Sequence, residues 1–201
     1  MSERTGVLRS SDLHADPLEQ FRRWFAEAEG AGIRAPNAMA LATGGPSVRM
    51  VLLKEADERG FVFFTGYVSR KAGELDANPQ AALLFFWDPL GRQIRVEGGV
   101  ERVSAEESDA YFESRPLAAR AGAVASRQSE VLASRDELDA RVAAVAGPPE
   151  RPETWGGFRV VPAAWEFWQH RDDRLHDRFR YGRHAGPSTT ADGWLIERLY
   201  P

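Results

Sequence analysis

The hydrophobic pattern opens with a helix. Asp16-Pro17-Leu18-Glu19 gives an acidic N-cap, a proline at the first helical position and a glutamate in the first turn. Leu18, Phe21, Trp24 and Phe25 then recur at helical spacing until Gly30 and Gly32. Beyond that point the pattern changes to short apolar runs between turn residues. Residues 38–43 form one run, ending at Gly44-Gly45-Pro46, and 48–54 and 61–65 flank a polar, glycine-containing turn, as in an antiparallel hairpin. A short helix is predicted over 69–78, closed by Asn78-Pro79, and a strand over 81–87. Residues 93–98 and 100–104 read as a second hairpin with Gly98-Gly99 at its tip.

Ser104-Ala105-Glu106-Glu107 is a capping box opening a helix to about Ser114, and Ser134-Arg135-Asp136-Glu137 repeats the signature for a helix to about Val145. A Pro-rich connector over 147–153 leads to closing strands at 158–162, 164–169, 178–181 and 194–199, with a loop over 186–192. Many short antiparallel strands with a few helices predict a mainly β fold, a β-barrel with helical additions. Strands and helices do not alternate, which argues against a parallel, doubly wound sheet. Residues 1–15 are polar and are expected to form a mobile N-terminal arm, with 16–201 as a single domain.

Composition narrows the function. A net charge of -4 and a pI near 5.7 give no general attraction to nucleic acid or anionic membrane, so any anion site is a local cluster of cations. The chain has no cysteine, which excludes disulfides, thiolate nucleophiles and Cys-ligated metals and fits a cytoplasmic protein. The first 16 residues lack the apolar core of a signal peptide. No apolar run approaches the roughly 20 residues of a membrane span.

The candidate chemistry is cationic. Arg49 and Lys54 bracket Met50-Val51-Leu52-Leu53, and strand alternation points the two cations to opposite faces; an edge strand with solvated ends has the same pattern. Thr65-Gly66-Tyr67-Val68-Ser69-Arg70-Lys71 leaves a strand and enters a helix, where hydroxyls, backbone N–H groups and two adjacent cations suit a phosphate; a solvated turn is the plain alternative. Arg92-Gln93 and Arg127-Gln128-Ser129 are weak signals by themselves. Tyr111 and Arg115 lie four apart on one helix face, a spacing that suits a joint grip on an anion or a local stacking pair.

Glu166-Phe167-Trp168-Gln169 followed by Arg174-Leu175-His176-Asp177-Arg178 sets two arginines and a histidine behind an aromatic anchor, as a flat anionic ligand requires. Two histidines and three aspartates over 170–178 invite a metal reading, but the interleaved arginines would repel a divalent ion, and no metal is expected. Basic and aromatic residues over 178–183 are weighed against the acidic net charge, and no nucleic-acid partner is expected. There is no GxxxxGK[ST], GxGxxG or GxSxG motif.

In order along the chain, Arg49-Met-Val-Leu-Leu-Lys54, Phe63-Phe-Thr65, Ser69-Arg-Lys71, Arg92-Gln93, Ser114-Arg-Pro116, Arg127-Gln-Ser129, Trp155-Gly-Gly-Phe-Arg159, Glu166-Phe-Trp-Gln169, Arg174-Leu-His-Asp-Arg178 and the Arg198-Leu-Tyr-Pro201 end resemble the pyridoxamine 5'-phosphate oxidase family. The resemblance spans about Asp16 to Pro201 and implies a split-barrel homodimer with FMN at the subunit interface. It implies that Arg49, Arg70 and Lys71 hold the FMN phosphate. The flavin site would be completed by Met50, Val51, Leu52, Phe64, Thr65, Gln93, Gln128, Ser129, Trp168 and Arg178, with Phe64 standing where many members carry tyrosine. By the same resemblance Lys54, Tyr111 and Arg115 grip the substrate's anionic group, and Arg174 and His176 lie over its ring as the catalytic pair. The implied chemistry is hydride transfer from substrate to flavin, then reoxidation by O₂.

The departure from the family pattern lies over 117–124. Leu117 replaces an arginine, Ala119 commonly a serine, Arg120 a glutamine and Val124 a tryptophan. This favours a shifted substrate, with a reduced phenazine carboxylate ahead of pyridoxamine or pyridoxine 5'-phosphate, as in the flavin oxidases of phenazine, and hence antibiotic, biosynthesis. A non-enzymatic flavin- or heme-binding split barrel is the third reading.

Overall fold

A computed structural model describes residues 6–183 and 193–201; the loop expected over 186–192 lies outside them. The chain begins with a 3₁₀ turn at Ser10–Asp12 and the helix α1 (Pro17–Gly30), whose first turn is capped by Asp16 Oδ1 accepting from Leu18 N at 2.9 Å. Next come β1 (Ala38–Thr43), β2 (Ser47–Leu52), β3 (Glu55–Asp57), β4 (Gly60–Gly66), α2 (Arg70–Ala77), β5 (Gln80–Trp87) and β6 (Arg92–Arg102). Then follow α3 (Ala105–Ser114), α4 (Leu117–Ala125), α5 (Arg135–Ala143), β7 (Trp155–Gln169), β8 (Asp177–Arg183) and β9 (Trp194–Leu199).

The nine strands among the described residues join one antiparallel sheet in the order β2-β1-β5-β6-β7-β4-β3, with β8 paired to β7 and β9 to β8. The 15-residue β7 organises the fold. Its first part pairs with β4 (Phe61↔Val160 to Gly66↔Trp155) and its last part with β8 (Ala164↔Gly182 to Gln169↔Asp177), while β6 runs along its other side. The sheet therefore splits into two curled halves at Pro162, the split β-barrel expected from the sequence.

Two hairpin expectations are corrected. β2 pairs with β1 across the Gly44-Gly45-Pro46 turn, not with β4; β4 pairs with the short β3 and with β7. Gly98-Gly99 is not a hairpin tip, because β6 runs straight through it with a bulge between Glu97 and Gly98. A Cβ at Gly98 would sit 1.9 Å from the Val161 carbonyl oxygen, so glycine there permits close strand approach.

The core is aromatic. Phe21 of α1 packs edge-on against Phe61, with centroids 4.9 Å apart, and also contacts Phe85 and Trp165. Trp24 meets Phe167 edge-on at 5.3 Å. Each of these rings is nearly or wholly buried, a contribution of about 2–3 kcal/mol apiece from area removed from water. Ahead of α1, Leu8 is buried; its N–H donates to Asp177 Oδ2 and its carbonyl accepts from Arg198 Nη2, both at 3.0 Å. No helix among the described residues is long and apolar enough to cross a membrane.

Candidate functional site

The first cluster surrounds a cavity of about 670 Å³ between β2, β4, α3 and α4. Three cations line it, Lys54, Lys71 and Arg115, and no aspartate or glutamate is among its lining residues, in a chain of net charge -4. Met50, Val51, Leu52, Phe64, Thr65, Tyr111 and Gln128 line the same cavity. Lys54 lies past the end of β2, so strand alternation does not set its direction; its backbone N–H donates to Val62 O at 2.9 Å.

Lys71 is buried at the start of α2. Its Nζ donates to Thr65 Oγ1 at 2.9 Å, Ser69 Oγ at 3.1 Å and Gln128 Oε1 at 3.0 Å, all neutral oxygens. Burial, and then the nearby Arg49 charge, hold its amine below the usual lysine range. Ser129 adopts a left-handed backbone (φ 78), a costly conformation for serine, and its Oγ accepts the Arg70 backbone N–H at 3.2 Å.

Arg49 and Arg70 meet on one carboxylate. Arg49 Nη2 and Arg70 Nε each lie 2.8 Å from Glu74 oxygens, and Arg49 Nη1 also donates to Thr43 Oγ1 at 2.6 Å. The Thr43 hydroxyl, then Arg49 and Arg70, push the Glu74 carboxyl down to about 2. Buried amine, paired arginines, hydroxyls and a helix N-terminus together form a donor set suited to a phosphate monoester.

On the other side of the cavity, Phe64 stacks on Tyr111 (4.0 Å, 20°) and on Trp155 (5.5 Å, 14°). The Arg115 guanidinium lies 4.8 Å from the Trp155 ring centre, and its Nη1 is buried with no hydrogen-bond partner among the described residues. Burial draws the Arg115 pKa down from its ordinary value. Lys54 Nζ stands 5.6 Å from the Tyr111 ring centre.

The remaining expected residues lie on β6, β7 and β8 and, for Arg174 and His176, in the loop between β7 and β8. Register sets Gln93 opposite Trp168, and Trp168 opposite Arg178; with Arg95 and Glu166 they line a separate cavity of about 180 Å³. The His176 ring packs 4.6 Å from the Trp168 ring. His176 Nδ1 accepts the Arg171 backbone N–H at 3.1 Å, which in the neutral ring leaves the proton on Nε2. Burial, then His170 and Arg174, lower the His176 pKa. Arg174 is exposed and has a left-handed backbone (φ 67). Within one chain the expected residues thus fall into two groups. Met50, Val51, Leu52, Lys54, Phe64, Thr65, Lys71, Tyr111, Arg115 and Gln128 line the first cavity, with Arg49, Arg70 and Ser129 joined to it through Glu74 and α2, while Gln93, Trp168 and Arg178 line the second.

Trp155 and Glu74 were not singled out as site residues by sequence. Trp155 has a signal in the glycines beside it: a Cβ at Gly156 would lie 2.2 Å from Tyr67 Oη, and one at Gly157 would lie 2.8 Å from Phe64 Cε1. Glu74 has one in its spacing of four from Arg70. Among the described residues no group of three or more metal-binding side chains occurs.

Comparison with known proteins places this architecture. Residues 25–147 match the family described as pyridoxamine 5'-phosphate oxidase, and residues 155–201 match the pyridoxine 5'-phosphate oxidase C-terminal dimerisation region. A pyridoxine/pyridoxamine 5'-phosphate oxidase of Thermosynechococcus vestitus is 56% identical over 202 residues, covering 96% of this chain and 93% of that protein. One of Bordetella pertussis is 53% identical over 204 residues, covering 98% and 94%. Among solved structures, PhzG from Burkholderia lata in complex with tetrahydrophenazine-1-carboxylic acid superposes with a TM-score of 0.87 at 33% identity, over 97% of this chain and 98% of that one. An FMN-binding protein of Nostoc punctiforme shares the fold at a TM-score of 0.70 and 18% identity, over 90% and 97%.

The fold and its cation-lined cavities define a split-barrel flavoprotein oxidoreductase. The chain belongs to the pyridoxamine 5'-phosphate oxidase family and is an FMN-dependent oxidase.

Proposed function

We propose that this protein oxidises pyridoxine or pyridoxamine 5'-phosphate to pyridoxal 5'-phosphate. One observation carries the reading: a cavity walled by Lys54, Lys71 and Arg115, with no acidic side chain in its lining, at which Arg115 Nη1 has no hydrogen-bond partner among the described residues. A desolvated guanidinium N–H left without a hydrogen bond is costly, and an anionic ligand group beside it offsets that cost. The 53–56% identity to proteins named pyridoxine/pyridoxamine 5'-phosphate oxidase supports the same substrate class.

In this reading Arg49, Arg70 and Lys71 hold the FMN phosphate, and Thr65, Gln128 and Ser129 set the donors around it. Met50, Val51, Leu52 and Phe64 supply apolar wall. Lys54, Tyr111 and Arg115 take the substrate phosphate. Gln93, Trp168, Arg174, His176 and Arg178 then come from a second copy of the chain, with FMN at the interface. That division is supported by location: four of these five lie inside the matched dimerisation region, 155–201. Bound FMN supplies the hydride acceptor and its reoxidation by O₂. The protein orients the substrate ring by its anionic group and presents the neutral His176 Nε2–H as a hydrogen-bond donor.

The 117–124 segment weighs less toward a phenazine substrate than its sequence suggests. Leu117, Arg120 and Val124 do not line the cavity; Arg120 instead donates to the Glu113 and Pro149 carbonyls and braces α4. Ala119 does line it, and it favours a second reading, oxidation of a reduced phenazine carboxylate held on the same cations. Likeness to PhzG supports that second reading at lower identity.

The test is turnover of pyridoxine 5'-phosphate beside unphosphorylated pyridoxine and a dihydrophenazine carboxylate. Strong preference for the phosphorylated vitamin is expected. Efficient turnover of the phenazine with none of the vitamin would establish the second reading instead.

A further inference from the structure

We propose that Glu166 is a positioning residue for the flavin site, acting through Arg178. The proposal rests on the reading of Arg178 as an FMN contact. Alternation along β7 puts Glu166 and Trp168 on the same face of the sheet. Register places Arg95 and Arg180 on either side of Glu166, and Gln93 and Arg178 on either side of Trp168.

The residue directly across β8 from Glu166 is Arg180, but Arg180 is bound to Glu197, with Nη2 to Oε2 at 2.7 Å. Glu166 reaches diagonally instead and holds Arg178 with both oxygens, Nε to Oε1 at 2.7 Å and Nη2 to Oε2 at 3.1 Å. Arg95 Nη1 approaches Glu166 Oε2 at 3.2 Å, and the Glu166 side chain is only 10% exposed. The remaining Arg178 group, Nη1, donates to the Tyr200 carbonyl at 3.1 Å.

A two-point grip of this kind fixes both the plane and the rotation of a guanidinium, which a single contact does not. Arg178 is thereby held in one orientation on the wall of the cavity it shares with Gln93 and Trp168. Without Glu166, the one remaining tie of the arginine among the described residues is at Tyr200, and a ligand binding there has to order it. Arg95 remains available to the carboxylate in either case, so a role in sheet stability alone would not depend on Arg178.

The experiment is a double-mutant cycle on FMN affinity. Apoprotein is titrated with FMN, following quenching of flavin fluorescence, for wild type, Glu166→Gln, Arg178→Ala and the double variant. Glu166→Gln is expected to weaken FMN binding by about tenfold in the wild-type background and by less than about twofold when Arg178 is already alanine. An equal loss in both backgrounds, or no loss in the wild-type background, would overturn the proposal. If Arg178→Ala alone left FMN affinity unchanged, the flavin role of Arg178 would fail and the proposal with it. Should Glu166→Gln not fold, as judged by circular dichroism, Glu166→Asp takes its place in the same cycle under the same criterion.

Discussion

Lys71 Nζ sits 2.9 Å from Thr65 Oγ1 inside the protein, with its hydrogen bonds made only to neutral oxygens. A buried ammonium so placed costs folding free energy and is useful where an anion arrives. Lys71→Met is therefore expected to weaken FMN binding by at least about tenfold while leaving the apoprotein's melting temperature unchanged or raised. Riboflavin, which lacks the phosphate, should bind both proteins alike. Equal losses for FMN and riboflavin would show that Lys71 serves the flavin ring or the fold instead.

Arg115 is the counterpart on the substrate side. Its removal takes away a charged contact made in a partly desolvated site, worth about 2–3 kcal/mol. Arg115→Ala should lower kcat/KM for pyridoxine 5'-phosphate by about 30- to 100-fold, largely through KM, and leave FMN affinity intact. Arg115→Lys should recover little, because a lysine does not reproduce the fork set against Trp155. Steady-state kinetics beside a flavin titration separates the two effects.

Glu74 gives the apoprotein a pH dependence with a definite sign. Its carboxyl falls from an ordinary 4.5 to about 2 in the folded protein, through the Thr43 hydroxyl and the two arginines. A depressed acid stabilises the fold above its unfolded pKa and loses that stabilisation as pH falls through the folded one. The loss therefore runs from about pH 4.5 down to about 2. In urea melts across that range, Glu74→Gln should lose stability less steeply than wild type. Parallel curves would mean that the Glu74 pairing is not made in solution.

Substrate choice should follow Ala119 and ignore Val124. Ala119 lines the cation-walled cavity and Val124 does not. Ala119→Ser places a hydroxyl there and should raise kcat/KM for the phosphorylated vitamin, whereas Val124→Trp should change it by less than about twofold, as for a surface substitution. The reverse ranking, measured on the same substrate, would return weight to the 117–124 segment as a whole.

Local elements were legible in the sequence and their partners were less so. Capping residues mark α1, α3 and α5 because Asp16, Ser104 and Ser134 each accept a first-turn N–H. No such residue precedes α4: Pro116 occupies its N-cap, and its Ala/Gly-rich face buries nothing fully. β7 reads as two strands because Pro162 interrupts it, although β6 carries the pairing past that point. The pairing of β2 with β1 was hidden because apolar alternation fixes faces and not neighbours. At the site, the cations stood out as residue types in order. Glu74 and Glu166 did not, since their importance lies in which arginine each holds.

The most direct test of the proposed activity is anaerobic. FMN-loaded protein is mixed with pyridoxine 5'-phosphate in the absence of O₂, and the flavin absorbance is followed. The account predicts rapid bleaching with one pyridoxal 5'-phosphate formed per flavin, and return of the colour on admitting air. Protein that holds FMN and stays yellow with this substrate would contradict it.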